Sequence, residues 1–145
     1  MPLDEKARAE LEIVYRRTNY AVDDIDPDVT IRLDRDNPSL RAYLEAQGAG
    51  SWAFLTAYNP YSQTLSEEEN LERQTRLIQL LDAEGYRHYR GRGVGDDWEE
   101  PSLFIVNISR GDAITIGKDF EQNAILWGEA GGEPELIWCG DADAA

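Results

Sequence analysis

The segment Ser51-Trp52-Ala53-Phe54-Leu55-Thr56-Ala57 is apolar at both alternating parities. A strand of this kind has no wet side, so it must lie inside a sheet with a cover on each face. Leu103 to Ile108 has the same character and predicts a second central strand. Between and around them lie stretches of helical periodicity. Ser66-Glu67-Glu68-Glu69 is a capping box in which the serine side chain and Glu69 satisfy free amides at a helix start, and Leu77, Ile78, Leu80 and Leu81 follow before Gly85. Helix is also expected from Pro2 to about Arg17, with one face packed on the sheet, from Asn37-Pro38 to about Ala46 with Asn37 as cap, and from Asp112. Further strands are expected at Val29 to Leu33, at Tyr86 to Arg90 as an edge, and in a closing hairpin of Ala124 to Trp127 with Leu136 to Trp138. Gly91 to Gly95 reads as a loop, Asp23 to Asp28 as an acidic link, and residues 140–145 as a flexible tail.

The fold class that follows is α/β (α+β), one domain with a mixed sheet of about five or six strands packed with three or four helices. A chain of 145 residues suits a single core. Its 41% hydrophobic content, with four Trp and seven Tyr, can fill one.

Charge narrows the function classes. There are 29 acidic and 14 basic residues, a net charge of −15, which opposes the counterion release that drives nucleic-acid binding, so no nucleic-acid partner is expected. The acids are dispersed along the chain. That pattern fits adaptation to a salt-rich cytoplasm or a GC-rich genome, and also a surface that mimics nucleic acid or docks a basic protein. No apolar run is long enough to span a membrane and the start lacks a signal peptide, so a cytoplasmic location is expected. One cysteine, Cys139, and one histidine, His88, give no zinc cluster, no internal disulfide and no equipment for ordinary serine or cysteine hydrolysis. Cys139 reads as packing and His88 as an unpartnered surface residue. No metal and no cofactor is implied.

Polar side chains gather at the ends of the expected strands: Thr56, Asn59 and Ser62, then Asn70, then Glu99, Glu100 and Ser102, then Gln122 and Asn123. Such positions commonly line clefts in α/β sheets. The neutral members would hold a small polar ligand, with free amides at the Ser66 helix start available to an anion, or would simply brace loops as many asparagines do. Trp98-Glu99-Glu100 could set a carboxylate against an aromatic wall, where lost hydration raises its pKa toward general acid or base work. Glu100 is the favoured catalytic candidate and Glu99 the reserve. Arg90 and Arg92, in the one basic concentration of the chain, are candidates for anion binding or for protection of a sheet edge.

Four ordered motifs carry a resemblance: Thr56-Ala57-Tyr58-Asn59-Pro60, Glu69-Asn70, Trp98-Glu99-Glu100-Pro101-Ser102 and Gln122-Asn123-Ala124, with Tyr15-Arg16-Arg17-Thr18-Asn19-Tyr20 ahead of them. Through these, over nearly its whole length, the chain resembles the bacterial domain-of-unknown-function family 3293. That family has no established activity, so the resemblance groups these residues without implying a substrate. Two functions remain open. One is a cytosolic domain whose polar cleft binds a small, possibly phosphorylated ligand, with acid-base hydrolase or transferase activity through Glu100. The other is a non-catalytic interaction or regulatory module in which an acidic face or the Trp127 to Trp138 hairpin docks a protein, and a homo-oligomer is also open.

Overall fold

The computed structural model describes residues 3–25 and 29–140. Pro2, residues 26–28 of the acidic link and residues 141–145 of the expected tail lie outside them. In chain order the elements are α1 (Glu5–Arg17), β1 (Asn19–Val22), β2 (Val29–Ile31), α2 (Pro38–Gln47), β3 (Ser51–Leu55), a 3-10 turn (Pro60–Ser62), α3 (Glu67–Ala83), β4 (Arg87–Val94), β5 (Glu99–Val106), α4 (Arg110–Asp119), β6 (Ala124–Glu129) and β7 (Glu135–Trp138).

The two doubly apolar segments are neighbours inside one seven-stranded sheet, ordered β2-β1-β4-β5-β3-β6-β7. Alternate side chains of β3 enter two separate cores. Ala53 and Leu55 join Leu77 and Leu81 of α3 and Ile114 of α4 on one face. Trp52 and Phe54 join Phe104, Leu126 and the α2 leucines Leu40 and Leu44 on the other. Each fully buried leucine or isoleucine contributes about 1.5–3 kcal/mol by leaving water, which is why these parities dominate the fold.

The α+β class and the four helices are as expected, but among the described residues every strand pair is antiparallel, and the strands number seven. The connections explain this. Chain running β3-α3-β4 returns parallel to β3 but one slot away, and β5-α4-β6 does likewise; β5 fills the first gap and β3 the second, each antiparallel to its neighbours. This is a split β-α-β core of the ferredoxin-like kind, with β1-β2 added at one edge and β7 at the other.

Several local expectations change. Tyr86 to Gly95 is not an edge strand followed by a loop: β4 runs unbroken to Val94 and pairs on both sides, with β1 and β5. Gly91 is required there by close approach. A Cβ on it would stand 2.6 Å from the Ala21 carbonyl oxygen and 2.9 Å from the Phe54 ring. The strand expected from Leu103 begins four residues earlier, so that Glu99 to Ser102 belong to β5. Pro101 is tolerated because β3 pairs only with residues 103–106, so that side of Pro101 faces no ladder partner. Asn37 holds the N-cap position of α2 as expected, but its side chain makes no cap bond; it accepts from Arg32 N at 2.8 Å and donates to the Arg32 and Arg35 carbonyls. The capping box at Ser66 and Glu69 forms as expected, and Gly85 follows α3 at a φ of 78°. No residue of α1 is fully buried, but Ala7, Leu11 and Tyr15 form a half-buried stripe along it, so the helix lays one face against the sheet as expected, only shallowly. It leans over the α2 side, where the Tyr15 ring meets that of Trp138 at 5.7 Å and the Arg8 guanidinium lies over the same indole. No helix among the described residues is long and apolar enough to cross a membrane.

Candidate functional site

Beyond Leu55 the chain leaves the sheet, and side chains take over the hydrogen bonding that the ladder no longer supplies. Thr56 Oγ1 donates to the Pro101 carbonyl at 2.7 Å and accepts from Tyr58 N at 3.0 Å. Gln74, on the first half of α3, accepts from Ala57 N at 2.9 Å and donates to the same Pro101 carbonyl at 3.3 Å. Asn59 and Asn70 clasp each other: Asn70 Oδ1 accepts from Asn59 N at 2.9 Å, and Asn70 Nδ2 donates to Asn59 Oδ1 at 2.8 Å. Asn59 Oδ1 also accepts from Leu65 N at 3.1 Å, closing the loop.

A second set of bonds ties this loop to the end of α4. Arg73 donates to the Ala57 carbonyl at 2.7 Å and to the Phe120 carbonyl at 2.6 Å. Gln122 Nε2 donates to the Tyr58 carbonyl at 3.1 Å, and Asn123 Nδ2 donates to Ser62 Oγ at 2.9 Å. The four chain segments expected to converge therefore do so. Their amides, however, are spent on backbone and on one another, and among the described residues no buried side-chain nitrogen or oxygen lacks a partner.

Beside this frame, on the α2 side of the sheet and beneath α1, is a small hollow of about 70 Å³, open to solvent at its mouth. Its walls are mainly apolar, with the rings of Tyr15, Tyr20, Phe54 and Trp98 among them, and among the described residues Glu100 is the one charged side chain in the lining. Thr56, Ser102 and Gln122 also border it. Gly93 leaves room there, since a Cβ on it would meet Thr18 and Trp98 at an ordinary 3.6 Å.

Burial pushes the Glu100 carboxyl up to about 7 from an ordinary 4.5, while the hydrogen bond from Asn59 Nδ2 to its Oε2, at 3.3 Å, pulls the other way. Loss of hydration wins, as it does where the walls are apolar and the compensating bond is single and long. The titratable groups coupled to Glu100 are phenols. Burial raises Tyr15 to about 12, with the Glu100 charge adding to the effect; it raises Tyr20 further, and Tyr58 is raised by burial and by its bond to Glu67.

The candidates therefore divide. Glu100, Thr56, Ser102 and Gln122 border the hollow; Asn59 reaches it through one amide; Asn70 stands behind Asn59; Ser62 and Asn123 form their own pair. Glu99 is not brought there. Strand alternation turns it to the opposite face, where Arg92 donates to it at 3.1 Å. Arg90 and Arg92 are also engaged away from the hollow, with Asp24 and Asp23 at 2.9 Å each, so both guanidinium charges are already neutralised. At the Ser66 helix start Ser66 Oγ already accepts from Glu69 N at 3.1 Å, and Glu67, Glu68 and Glu69 crowd the first turn with negative charge, which disfavours an anion there. His88 is not unpartnered: its Nε2 lies 2.7 Å from Asp82. Cys139 is buried, as a packing residue should be.

Sequence reasoning did not single out Tyr20, Phe54, Arg73 or Gln74. Signals were present for two of them. Phe54 shares the parity of Thr56, and Gln74 follows Asn70 by one helical turn, which stacks both on the same face of α3.

Residues 55–125 match the family model described as "Protein of unknown function (DUF3293)". The chain resembles that family. The DUF3293 match covers about half of the 145 residues, not nearly all, and falls within the split β-α-β core from β3 to β6. It contains Thr56 to Pro60, Glu69-Asn70, Trp98 to Ser102 and Gln122 to Ala124, but not Tyr15 to Tyr20. No curated protein and no solved structure matches the chain.

Proposed function

We propose that the hollow binds a small molecule with an apolar body and a polar head, and that Glu100 exchanges a proton with that head in hydrolytic or transfer chemistry. The observation that carries this reading is the Glu100 carboxyl itself. It is the lone charge in an apolar-walled hollow, holds one long side-chain hydrogen bond, and has its pKa pushed to about 7, where a carboxyl can both give and take a proton near neutrality. A phosphorylated ligand is disfavoured, because the lining contains no arginine or lysine to meet it. The setting proposed is the cytoplasm of a bacterial cell, in keeping with a lone cysteine that forms no internal disulfide.

The alternative, a module in which the polar motifs only brace loops, is favoured for Asn59, Asn70 and Gln122 by their bonds to backbone and to each other. It leaves Glu100 without a purpose. The two readings separate in a fragment screen by protein-observed NMR on wild type and on Gly93→Leu, whose side chain would grow into the hollow. Fragments that shift resonances around Glu100 in wild type alone support the site; no such fragment, or the same shifts in Gly93→Leu, removes it.

A further inference from the structure

The walls of the hollow say which charge its ligand carries. Tyr15, Tyr20, Phe54 and Trp98 present aromatic rings, whose faces are electron-rich and attract cations. Glu100 adds the only formal charge that the described residues bring to the lining, and it is negative. The groups that titrate around it, Tyr15 from α1, Tyr20 from β1 and Tyr58 from the loop, are neutral phenols at pH 7, and the bond from Asn59 comes from an uncharged amide. No resident cation among the lining residues competes for the carboxylate, although salt bridges hold acids elsewhere on the surface.

Each class of ligand meets these walls differently. An anion would face Glu100 with no countercharge, inside a chain of net charge −15. A neutral molecule would leave the ionised carboxylate desolvated and unpaired, a cost avoided only by keeping the carboxyl protonated. A cation would pair with it and gain from the rings at the same time.

We propose that the hollow takes an organic cation, a primary amine on an apolar body, with its ammonium set against Glu100 inside the wall made by Tyr15, Tyr20, Phe54 and Trp98. This rests on the ligand-binding reading above and adds the charge class to it.

Three probes of one shape separate the two claims. Benzylamine, benzyl alcohol and benzoate are titrated into the full chain at pH 8 by calorimetry, against wild type, Glu100→Gln and Trp98→Ala. Benzylamine should bind at least about tenfold tighter than benzyl alcohol, with benzoate weakest, and Glu100→Gln should remove about that factor for the amine while leaving the alcohol unchanged. Trp98 is already 40% exposed, so its truncation should keep the fold and weaken the amine. In wild type the amine should also bind more tightly at pH 8 than at pH 6, because a cation selects the ionised carboxylate; this series decides the matter should Glu100→Gln not fold. Equal binding of amine and alcohol, abolished by Gly93→Leu, overturns the cation and keeps the site. Amine binding that survives Glu100→Gln unchanged also overturns it. Failure of all three probes to bind overturns both.

Discussion

Replacing Glu100 by glutamine should stabilise the protein at alkaline pH and do little at acid pH. The carboxyl has an ordinary value of 4.5 and sits at about 7 in the fold. Because the folded value is the higher one, the folded chain holds the proton across that window while the unfolded chain has lost it. Stability from this group is therefore full below pH 4.5 and is lost as pH rises through 7. Over that interval, at about 1.4 kcal/mol per pH unit, the ionised carboxylate costs the fold about 3 kcal/mol. Glutamine has the same shape, keeps an oxygen for Asn59 Nδ2 and never ionises. Urea unfolding of wild type and Glu100→Gln at pH 5 and pH 8 isolates the effect, since the other carboxylates titrate alike in both proteins. The variant should gain about 2–3 kcal/mol on wild type between the two pH values. A stability difference that is the same at both pH values would show that Glu100 is not desolvated, and the acid-base role would go with it.

The two glycines of β4 should respond oppositely to alanine. Gly91→Ala forces a Cβ to 2.6 Å from a backbone oxygen of β1, which cannot swing aside, and should lose about 1–3 kcal/mol in urea unfolding, whereas Gly93→Ala meets only ordinary contacts and should change stability by less than about 0.5 kcal/mol; equal losses would mean that the close approach is not what fixes Gly91. Ser66→Ala removes the bond that Ser66 Oγ accepts from Glu69 N and the one it donates to Glu69 Oε1, and should cost about 1 kcal/mol, read as a lower urea midpoint at unchanged slope, with no loss meaning that the serine side chain contributes nothing to the cap. Burial holds the Cys139 thiol up at about 11, so disulfide reagents should label it only as fast as the chain unfolds. Rapid labelling in native buffer would place it at the surface.

What could be read from the sequence depended on whether the signal was local. The doubly apolar runs of β3 and β5, the capping box of α3 and the Gly131-Gly132 hairpin each carry their cause within a few residues, and each forms as expected. The misreadings at β4 and β5 arose where a distant residue decides. Glycine at 91 resembles a loop until Phe54 and Ala21 are known to press on it, and Pro101 resembles a strand breaker until β3 is known to stop at Leu55. β1 went unseen because Asn19 to Val22 has only four residues and alternates weakly, so its pairing with β2 and β4 comes from the assembled sheet. The convergence of polar motifs was legible; which of them would have bonding capacity left over was not, because that depends on which backbone groups the loop leaves unpaired.

That division of labour follows from the backbone. Asn59, Tyr61, Ser62 and Glu121 all adopt positive φ, between 48° and 61°, in the two segments that meet beside the hollow. Such conformations cost a side-chain-bearing residue on the order of 1 kcal/mol or more each and persist only where surrounding bonds hold them. Here those bonds are visible. Tyr61 N donates to the Glu121 carbonyl at 2.7 Å, and the Asn59–Asn70 clasp and the Arg73 bridge fix the chain on either side. A ligand that drew Asn59 Oδ1 or the Arg73 guanidinium away would have to release this strain and strand the Leu65 amide or the Ala57 carbonyl. Glu100 is under no such obligation. A carboxylate can accept about four hydrogen bonds, and among the described residues only Asn59 Nδ2 donates to this one from a side chain. Recognition therefore falls to the acid that the frame leaves with bonding capacity to spare, and the apolar walls of the hollow are what keep that acid short of water.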